Sequence, residues 1–427
     1  MTSTAQRAAT PGLSPLALLA GMSGNLMEWY DFALYGVLAA TLGELFFPAG
    51  NRQLALLSVF GVFAAGYVMR LIGGAAFGHV GDRLGRRRAL LLSAATMAVA
   101  TTAVGCLPTY ASAGVAAPLL FTLLRLLQGV SVGGEFTTSI TYLIEHAPPG
   151  RRALQGSFAG LTGGAGILLG SAMGNAVFAI YDVDQVLAWA WRLPFLLSVP
   201  LGLSLAVLRA SLPEDAPAAA RDAAPGSPVW SVLREQPGEL LRGVLLGWGP
   251  ATSFYTLAVF LGSFLTAEQV LPQQTALGLQ TASIALMVGL TPVAGFLADR
   301  LGRRTMVLAS MLGCVLLAVP LLAVLRNADP TDDLFAELLF AGLIAAGMSP
   351  FQVWLAERFP QRLRASGLGL AYNGSAGLLG GSTPLVSTGL ATLTGSPIAP
   401  AGYVVLACAV SLLVALRLPD TGRAPLR

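Results

Sequence analysis

Charged and polar side chains interrupt a long apolar run near the beginning of this sequence. Asn25, Glu28, Asp31 and Tyr35 follow one another at intervals of three or four residues. A helix advances about 100° per residue, so this spacing places all four side chains on one face. A carboxylate in apolar surroundings can bind and release a proton when a nearby cation approaches and withdraws. The pattern therefore predicts proton binding on this face.

A second apolar run contains the cation that such chemistry requires. Arg125, Gln128 and Glu135 share an arc of about 80° on a helix. We expect the two runs to pack together, with Arg125 balancing Asp31 or Glu28. The alternative is that these groups form static ion pairs, because a buried arginine and a carboxylate neutralise each other whether or not a proton moves. The four candidates for proton coupling are Asp31, Glu28, Glu135 and Arg125.

Two other arginines lie within or at the edge of apolar runs. Arg70 and Arg192 each offer the two parallel donors that bind a carboxylate, so both are candidates for substrate contact. The alternative for Arg70 is structural pairing. For Arg192 it is a membrane-surface anchor beside interfacial tryptophans. The remaining candidates are polar groups inside apolar runs, where packing is the alternative: Tyr35, Gln128, Tyr255 and Asn373.

The composition excludes several other kinds of chemistry. All 25 residues in the Lys and Arg total are arginine, so a lysine Schiff base and a P-loop lysine are excluded. The 2 histidines and 3 cysteines have neither metal-ligand spacing nor the pattern of a disulfide framework. The arginines are scattered among apolar segments, which does not favour nucleic-acid binding. We expect no metal, no cofactor and no enzymatic activity.

Long apolar helices must position these side chains. The 427 residues are 55% hydrophobic and 11% charged, with a mean hydropathy of +0.71, whereas a soluble domain has about 25% charged residues. A bilayer core of about 30 Å requires about 20 apolar residues per helix. Runs of this kind predict twelve membrane-spanning helices, at residues 15–44, 54–78, 88–107, 113–144, 153–180, 189–209, 241–266, 274–298, 304–325, 334–357, 364–392 and 399–418.

The longest polar break divides the predicted spans six and six. A repeat supports this division, because the segment Gly78–Arg88 recurs as Gly295–Thr305, displaced by 217 residues. Repeats in the same orientation indicate two halves related by an axis along the membrane normal. The expected organisation is an N-terminal segment, a six-helix half, a linker, a second six-helix half and a tail, at residues 1–13, 14–209, 210–240, 241–418 and 419–427.

The repeated loops are candidates for conformational gating. Asp82 and Asp299 precede the third and ninth predicted spans, where a carboxylate can cap a helix and interact with its positive end. The glycine that follows allows a tight turn. Such loops can lock the two halves together in one state. The gating candidates are Gly78, Asp82, Arg83, Gly85, Arg86, Gly295, Asp299, Arg300, Gly302 and Arg303.

The distribution of arginine predicts the orientation. If both termini and the repeated loops lie on one side, that side has twenty of the 25 arginines, and the other side has Arg52 and Arg326. The three that remain are Arg70, Arg125 and Arg192, in or beside the spans. The positive-inside rule then predicts cytoplasmic termini in a bacterial inner membrane. The expected partners are a small organic anion, protons and the lipid bilayer, with a monomer as the default.

The repeated Gly-x-x-x-Asp-Arg-x-Gly-Arg-Arg sequence resembles the signature loop of the major facilitator superfamily. Residues 24–36, 125–135 and 191–195 are similar to the metabolite:proton symporter family, with residues 47–51 and 61–66 closest to its 2-oxoglutarate branch. The resemblance covers essentially the whole chain. It implies an all-α fold of twelve helices in two pseudo-symmetric halves, and proton-coupled import of a di- or tricarboxylate or related anion by alternating access. It also implies coupling or binding roles for Asp31, Arg70, Arg125, Glu135, Arg192 and Tyr255.

This sequence departs from the family pattern at two positions. Leu71 follows Arg70 where family members usually have proline, and Leu355 stands where the 2-oxoglutarate type has an embedded lysine. One expected cationic contact with a dicarboxylate is therefore missing. The alternative substrate is a zwitterionic osmolyte such as betaine or proline, which requires an aromatic site that accommodates a cation.

Overall fold

A computed structural model describes residues 15–48, 50–84, 86–132, 135–210, 228–267, 271–325, 329–422, 424 and 426. Within these ranges only the backbone is described for residues 15–24, 71, 74–87, 89, 90, 135, 206, 208–210, 228, 267 and 273. All regular secondary structure of the described residues is helical, which confirms the all-α prediction. A helical segment corresponds to each of the twelve predicted spans.

Six segments form the first half. They are α1 (Pro15–Val37 and Ala39–Phe46), α2 (Arg52–Leu84), α3 (Arg86–Gly105), α4 (Ala116–Ser131 and Glu135–Glu145), α5 (Arg152–Ile180) and α6, which begins at Val183–Gln185 and ends with Ser198–Ala210.

Six further segments form the second half, after a short linker helix at Pro228–Glu235. They are α7 (Pro237–Tyr255, a π-helical stretch at Thr256–Leu261, and Gly262–Ala267), α8 (Gln273–Leu301), α9 (Arg303–Val324), α10 (Pro330–Glu357), α11 (Arg364–Tyr372, a π-helical stretch at Asn373–Gly380, and Thr383–Thr394) and α12 (Ala399–Arg417).

Nine helices among the described residues are long and apolar enough to cross a membrane. The apolar part of α3, Leu91–Gly105, is shorter than such a span. The predicted span at residues 364–392 corresponds to α11, which changes to π-helix after Tyr372 and is interrupted before Thr383. The predicted linker at residues 210–240 also contains a helix and the first turn of α7.

Small residues determine how closely the helices pack. An added Cβ at Gly129 of α4 would overlap the backbone of Gly66 in α2, so these two helices meet backbone to backbone. An added Cβ at Gly170 of α5 would lie 2.5 Å from the Tyr30 carbonyl oxygen in α1. The first contact sets the distance between α2 and α4, and the second sets the distance between α1 and α5.

Candidate substrate and proton site

Asp31 forms the more extensively bonded of two buried ion pairs. Arg125 Nη1 lies 2.5 Å from Asp31 Oδ2. Gln128 Nε2 and Thr101 Oγ1 donate to Asp31 Oδ1 at 2.7 and 3.0 Å. The carboxylate therefore accepts hydrogen bonds from α3 and α4, and three donors stabilise its ionised form. This resolves the choice left by the sequence: Arg125 pairs with Asp31.

Aromatic rings hold Arg125 in place. Its guanidinium group lies 4.3 Å from the ring centroid of Tyr35 and 5.2 Å from that of Phe63. Its Nη1 also donates to Gln128 Oε1 at 2.9 Å, and the Tyr35 hydroxyl donates to the Val59 carbonyl oxygen at 2.6 Å. Tyr35 and Gln128, which were predicted to contact the substrate, support the ion pair in this conformation.

Glu28 forms the second ion pair, one turn earlier on α1. Its Oε1 lies 3.0 Å from Arg70 Nη1, and both side chains are buried. The Arg70 guanidinium also lies 4.1 Å from the centroid of the Tyr67 ring. Among the described residues, Glu28 Oε1 has no hydrogen-bond donor with suitable alignment, Arg70 included. Glu28 is thus held by charge attraction, with fewer directional bonds than Asp31.

The ring next to Arg70 connects it to the second half. The Arg70 guanidinium lies over Tyr67 of α2, and that ring is in contact with Tyr255 of α7 and lies close to Gly377 of α11. The Tyr67 and Tyr255 rings are 5.5 Å apart, and the buried Tyr372 hydroxyl makes no hydrogen bond to the described residues. Because α7 and α11 belong to the second half, Arg70 lies at the interface between the halves.

A small cavity connects the two ion pairs. It has a volume of about 20 Å³ and is lined by Glu28, Asp31, Arg70 and Arg125, together with aromatic and glycine residues. A space of this size holds about one water molecule, whereas ligand pockets usually measure about 300–1,000 Å³. The cavity between the ion pairs therefore has no room for a metabolite in this conformation.

The halves touch at the end of the bundle where α1 and α7 meet. The Ser263 hydroxyl donates to the Gly36 carbonyl oxygen at 2.6 Å. Deeper in the same interface, the rings of Trp29 and Phe254 are 5.5 Å apart, and those of Phe32 and Tyr255 are 5.2 Å apart. Aromatic packing thus joins α1 to α7 at the level of the ion pairs.

Ion pairs join the halves at the opposite end, which we call the linker end because the linker helix lies there. Arg152 Nη1 is 3.2 Å from Glu357 Oε1, and Arg364 Nη1 is 2.5 Å from Glu145 Oε1. Each pair connects the first half to the second. Contacts between the halves are therefore present at both ends of the described interface.

Asp299 completes the closure at the linker end, but it caps a different helix from the one predicted. Its carboxylate accepts from the backbone N–H groups of Ala153 and Leu154 at 3.0 and 2.9 Å, so it caps α5 of the other half. The predicted cap of the ninth helix was wrong because Gly302, with φ of 98°, turns the chain away from Asp299. Asp420 Oδ2 instead accepts from the Arg304 N–H at 2.9 Å.

The other gating candidates of the second repeat surround this cap. Arg303 Nη2 lies 2.9 Å from Asp299 and 3.3 Å from Glu357. Arg300 stacks 4.2 Å from the Phe296 ring centroid. A Cβ on Gly295 would lie 2.7 Å from the Ala153 carbonyl oxygen, so glycine allows this close approach between the halves. The candidates of the first repeat lie outside the described side chains: Gly78, Asp82, Arg83, Gly85 and Arg86.

Two other candidates, Arg192 and Asn373, have hydrogen bonds to groups other than Arg70. Arg192 Nη2 donates to the Leu107 carbonyl oxygen at 3.0 Å, and its guanidinium lies 4.3 Å from the Trp191 ring centroid. Asn373 donates to the Gly369 carbonyl oxygen of its own helix at 2.9 Å. The side chain of Glu135 is outside the described part of the protein.

Sequence reasoning missed Thr101 and Tyr67 as members of the site. Thr101 lies in an apolar stretch with no other polar pattern, and nothing in the sequence indicates its bond to Asp31. Tyr67 precedes Arg70 by three residues, a spacing that places both on one face of a helix. That spacing was the available signal for Tyr67.

Comparison with known proteins identifies the family. The profile of the Major Facilitator Superfamily matches residues 13–381 and, in a second match, residues 273–427. The chain belongs to the major facilitator superfamily. Its structure superimposes on that of a D-xylose–proton symporter with a TM-score of 0.77, covering 95% of this chain and 98% of the symporter at 20% sequence identity. The fold predicted from the sequence is confirmed.

Two curated relatives extend along nearly the whole chain. An alpha-ketoglutarate permease of Escherichia coli is 34% identical over 410 residues, which cover 95% of this chain and 94% of the permease. An ectoine/proline transporter of Corynebacterium glutamicum is 32% identical over 428 residues, which cover 94% of this chain and 83% of the transporter. The protein is therefore a multi-pass membrane transporter of a small molecule, and its relatives are transporters and permeases rather than enzymes.

Proposed function

We propose that the protein is a proton-coupled symporter that imports a small organic anion by alternating access. The observation that carries this proposal is the buried Glu28–Arg70 pair at the interface between the halves. A substrate carboxylate has the same chemistry as the Glu28 side chain and can bind the same guanidinium group. The relationship to an alpha-ketoglutarate permease supports a carboxylate substrate.

Competition for Arg70 explains why a proton would accompany the anion. When a substrate carboxylate binds Arg70, Glu28 loses its counter-ion inside a low-dielectric bundle. An unpaired buried carboxylate is costly, so Glu28 takes up a proton. Substrate and proton then bind cooperatively, since each favours the other by the same coupling free energy. Tyr255 and Tyr372 of the second half provide hydroxyl groups for the bound anion and connect its binding to the movement of the halves.

Asp31 has a different role in this proposal. It stays bonded to Arg125, Gln128 and Thr101 while Glu28 exchanges its proton. The sequence-based assignment of the coupled proton to Asp31 remains the alternative, and variants of the two acids separate them. Arg192 remains a candidate contact for other conformations of the transport cycle.

A zwitterionic substrate is the second candidate, and a specific feature favours it. A cavity of about 50 Å³ between the halves is lined by Trp29, Phe136, Phe254 and Tyr372. It is smaller than a ligand pocket and would have to widen to admit a substrate. Aromatic faces attract a quaternary or secondary ammonium group, while Arg70 binds the carboxylate of the same molecule. Leu355 supports this alternative, because it is fully buried at the position where a second cation would be expected for a dicarboxylate.

We place the linker end in the cytoplasm of a bacterial cell. Arg152, Arg303, Arg304 and Arg364 lie at that end, and the positive-inside rule assigns such a surface to the cytoplasm. Both termini then face the cytoplasm, and import proceeds from the end where α1 meets α7.

Uptake into proteoliposomes tests the proposal. Radiolabelled 2-oxoglutarate should accumulate when the external medium is made acidic, and a protonophore should abolish the accumulation. Unlabelled citrate and betaine, added as competitors, distinguish an anion site from a zwitterion site. Accumulation of a substrate that persists in the presence of the protonophore would refute proton coupling.

A further inference from the structure

Two acidic side chains of α10 are buried in the second half, where no candidate site was predicted. Asp333 and Glu337 are 0% and 1% exposed. Their spacing of four residues places them on one face of the helix, one turn apart. None of their four carboxyl oxygen atoms accepts a hydrogen bond in the described part of the protein.

The surroundings of these acids contain no compensating cation among the described residues. Helix α10 packs mainly against α8 and α9. The described arginines of α8 and α9 lie at the linker end, far from the first turns of α10. The charged groups nearest to Asp333 are themselves acidic, namely Asp329 and Asp332. On α7, Glu239 and Arg242 are also at the linker end. Glu268 and Arg326, in adjoining segments, are outside the described residues.

Electrostatics restricts the charge of this pair. Two ionised carboxylates one turn apart repel each other, and in a membrane-embedded helix neither is solvated by water. Without a cation or hydrogen-bond donors, burial of both charges would cost several kcal/mol. A bound proton removes one of the charges. Metal binding is not favoured, because no cluster of three His, Cys, Asp or Glu side chains occurs in the described ranges.

A buried hydroxyl group on α8 is the nearest uncharged polar partner of these acids. Ser283 is 0% exposed, and its side chain interacts with Glu337 across the α8–α10 contact. The Ser283 Oγ atom, like the Glu337 oxygens, has no aligned hydrogen bond to a described residue. A serine hydroxyl can accept a hydrogen bond from a protonated carboxyl group or donate one to a carboxylate, so Ser283 is compatible with a bound proton.

We propose that Glu337 binds a proton, with Asp333 and Ser283 as its immediate partners, and that this is a second proton site of the transporter. The exposed Asp329 and Asp332 begin a line of acids that continues one turn at a time through Asp333 to Glu337. This line is a route for protons from the loop before α10 into the bundle. Proton binding at Glu337 is independent of the function proposed above, and only its use in transport rests on that function.

Infrared spectroscopy of purified protein in lipid, titrated with pH and without substrate, tests the site. The wild-type protein should show the C=O stretch of a protonated carboxyl group, and Glu337→Gln should remove one component of that band. The matched control is Glu44→Gln, which changes an exposed glutamate of α1 and should leave the component in place. Persistence of the full band in folded Glu337→Gln would overturn the proposal.

Ser283→Ala provides a second test that does not depend on replacing the acid. Loss of the hydroxyl group should shift the same C=O component to higher frequency, because a hydrogen bond from the protonated carboxyl group is removed. An unchanged C=O frequency in Ser283→Ala would contradict the proposed contact. This result can be obtained even if Glu337→Gln does not fold. Because the infrared measurements contain no substrate, their failure would refute proton binding at Glu337 and would leave the uptake test of symport valid.

Discussion

Two buried arginine–carboxylate pairs lie one turn apart on α1 and differ in their bonding. Asp31 accepts from three side chains, whereas Glu28 has the single charged contact with Arg70. A carboxylate with many donors remains ionised, and one with a single, replaceable partner can exchange that partner for a proton. This difference leads to opposite expectations for the two acids.

We expect Glu28→Gln to uncouple transport. The amide stays neutral and leaves Arg70 available to substrate at every pH, so the variant should exchange substrate but not concentrate it. Counterflow of labelled 2-oxoglutarate should remain within a few-fold of wild type, while accumulation driven by a pH gradient should disappear. Glu44→Gln is the control and should retain both activities. Full accumulation by Glu28→Gln would remove Glu28 from the mechanism.

We expect Asp31→Asn to lower stability more than Glu28→Gln does. Each substitution leaves a buried arginine without its counter-ion, a change that costs about 3–5 kcal/mol. Asp31→Asn also disturbs the hydrogen bonds that Asp31 accepts from Gln128 and Thr101. Thermal unfolding of the purified protein measures the difference as a lower midpoint for Asp31→Asn. Equal midpoints for the two variants, with loss of accumulation in Asp31→Asn alone, would assign the exchanged proton to Asp31.

At the scale of helices, glycine contacts determine whether these side chains can meet. Gly66 and Gly129 bring α2 against α4, and Arg125 lies one turn before Gly129. Widening this contact would move Arg125 relative to Asp31. The site therefore depends on residues that have no chemistry of their own.

Gly129→Ala should destabilise the protein, because the added Cβ overlaps the Gly66 backbone and neither helix can yield without a shift. Overpacking of this kind costs about 1–3 kcal/mol. Gly61→Ala on α2 is the matched control, since nothing lies within 4 Å of its added Cβ. The measurement is the midpoint of thermal unfolding in detergent. A midpoint for Gly129→Ala equal to that of Gly61→Ala would show that the close contact does not matter.

The helices were predictable from the sequence, and their mutual contacts were only partly so. Twelve apolar runs and the repeated loop identify the fold, because the length of each apolar run and the polar breaks between runs can be read directly from the sequence. The pairing of Arg70 with Glu28 joins two helices, and the cap that Asp299 provides for α5 joins two halves. Such contacts depend on helix rotation and offset, which the spacing of residues does not determine. Glu337 was missed because it is a single acid inside the predicted span at residues 334–357 and does not interrupt that apolar run.

At the scale of the whole molecule, contacts between the halves occur at both ends of the described interface. The contact of α7 with α1 lies at one end, and the Arg152, Arg364 and Asp299 contacts lie at the other. In the proposed cycle, opening at either end separates the halves around Arg70. The segment after α12 takes part in the linker-end closure, because Arg152 Nη2 donates to the Ala424 carbonyl oxygen at 3.0 Å.

Arg152→Ala should favour opening at the linker end. The substitution removes the ion pair with Glu357 and the contact with Ala424, and a loss of about 1.4 kcal/mol shifts the equilibrium roughly tenfold. Hydrogen exchange at the Ala153 and Leu154 amides, which bond to Asp299 across the interface, should accelerate correspondingly. Arg242→Ala is the control because its partner, Glu239, lies on the same helix. Equal exchange in both variants would contradict the proposed lock.

Proton uptake on substrate binding tests the central claim most directly. Calorimetric titration of the purified protein with 2-oxoglutarate or betaine, in buffers of different ionisation enthalpy, measures the protons taken up per molecule bound. Exchange at Glu28 predicts about one proton per substrate for the wild type and none for Glu28→Gln. Substrate binding without proton uptake by the wild type, or equal uptake by Glu28→Gln, would contradict the account.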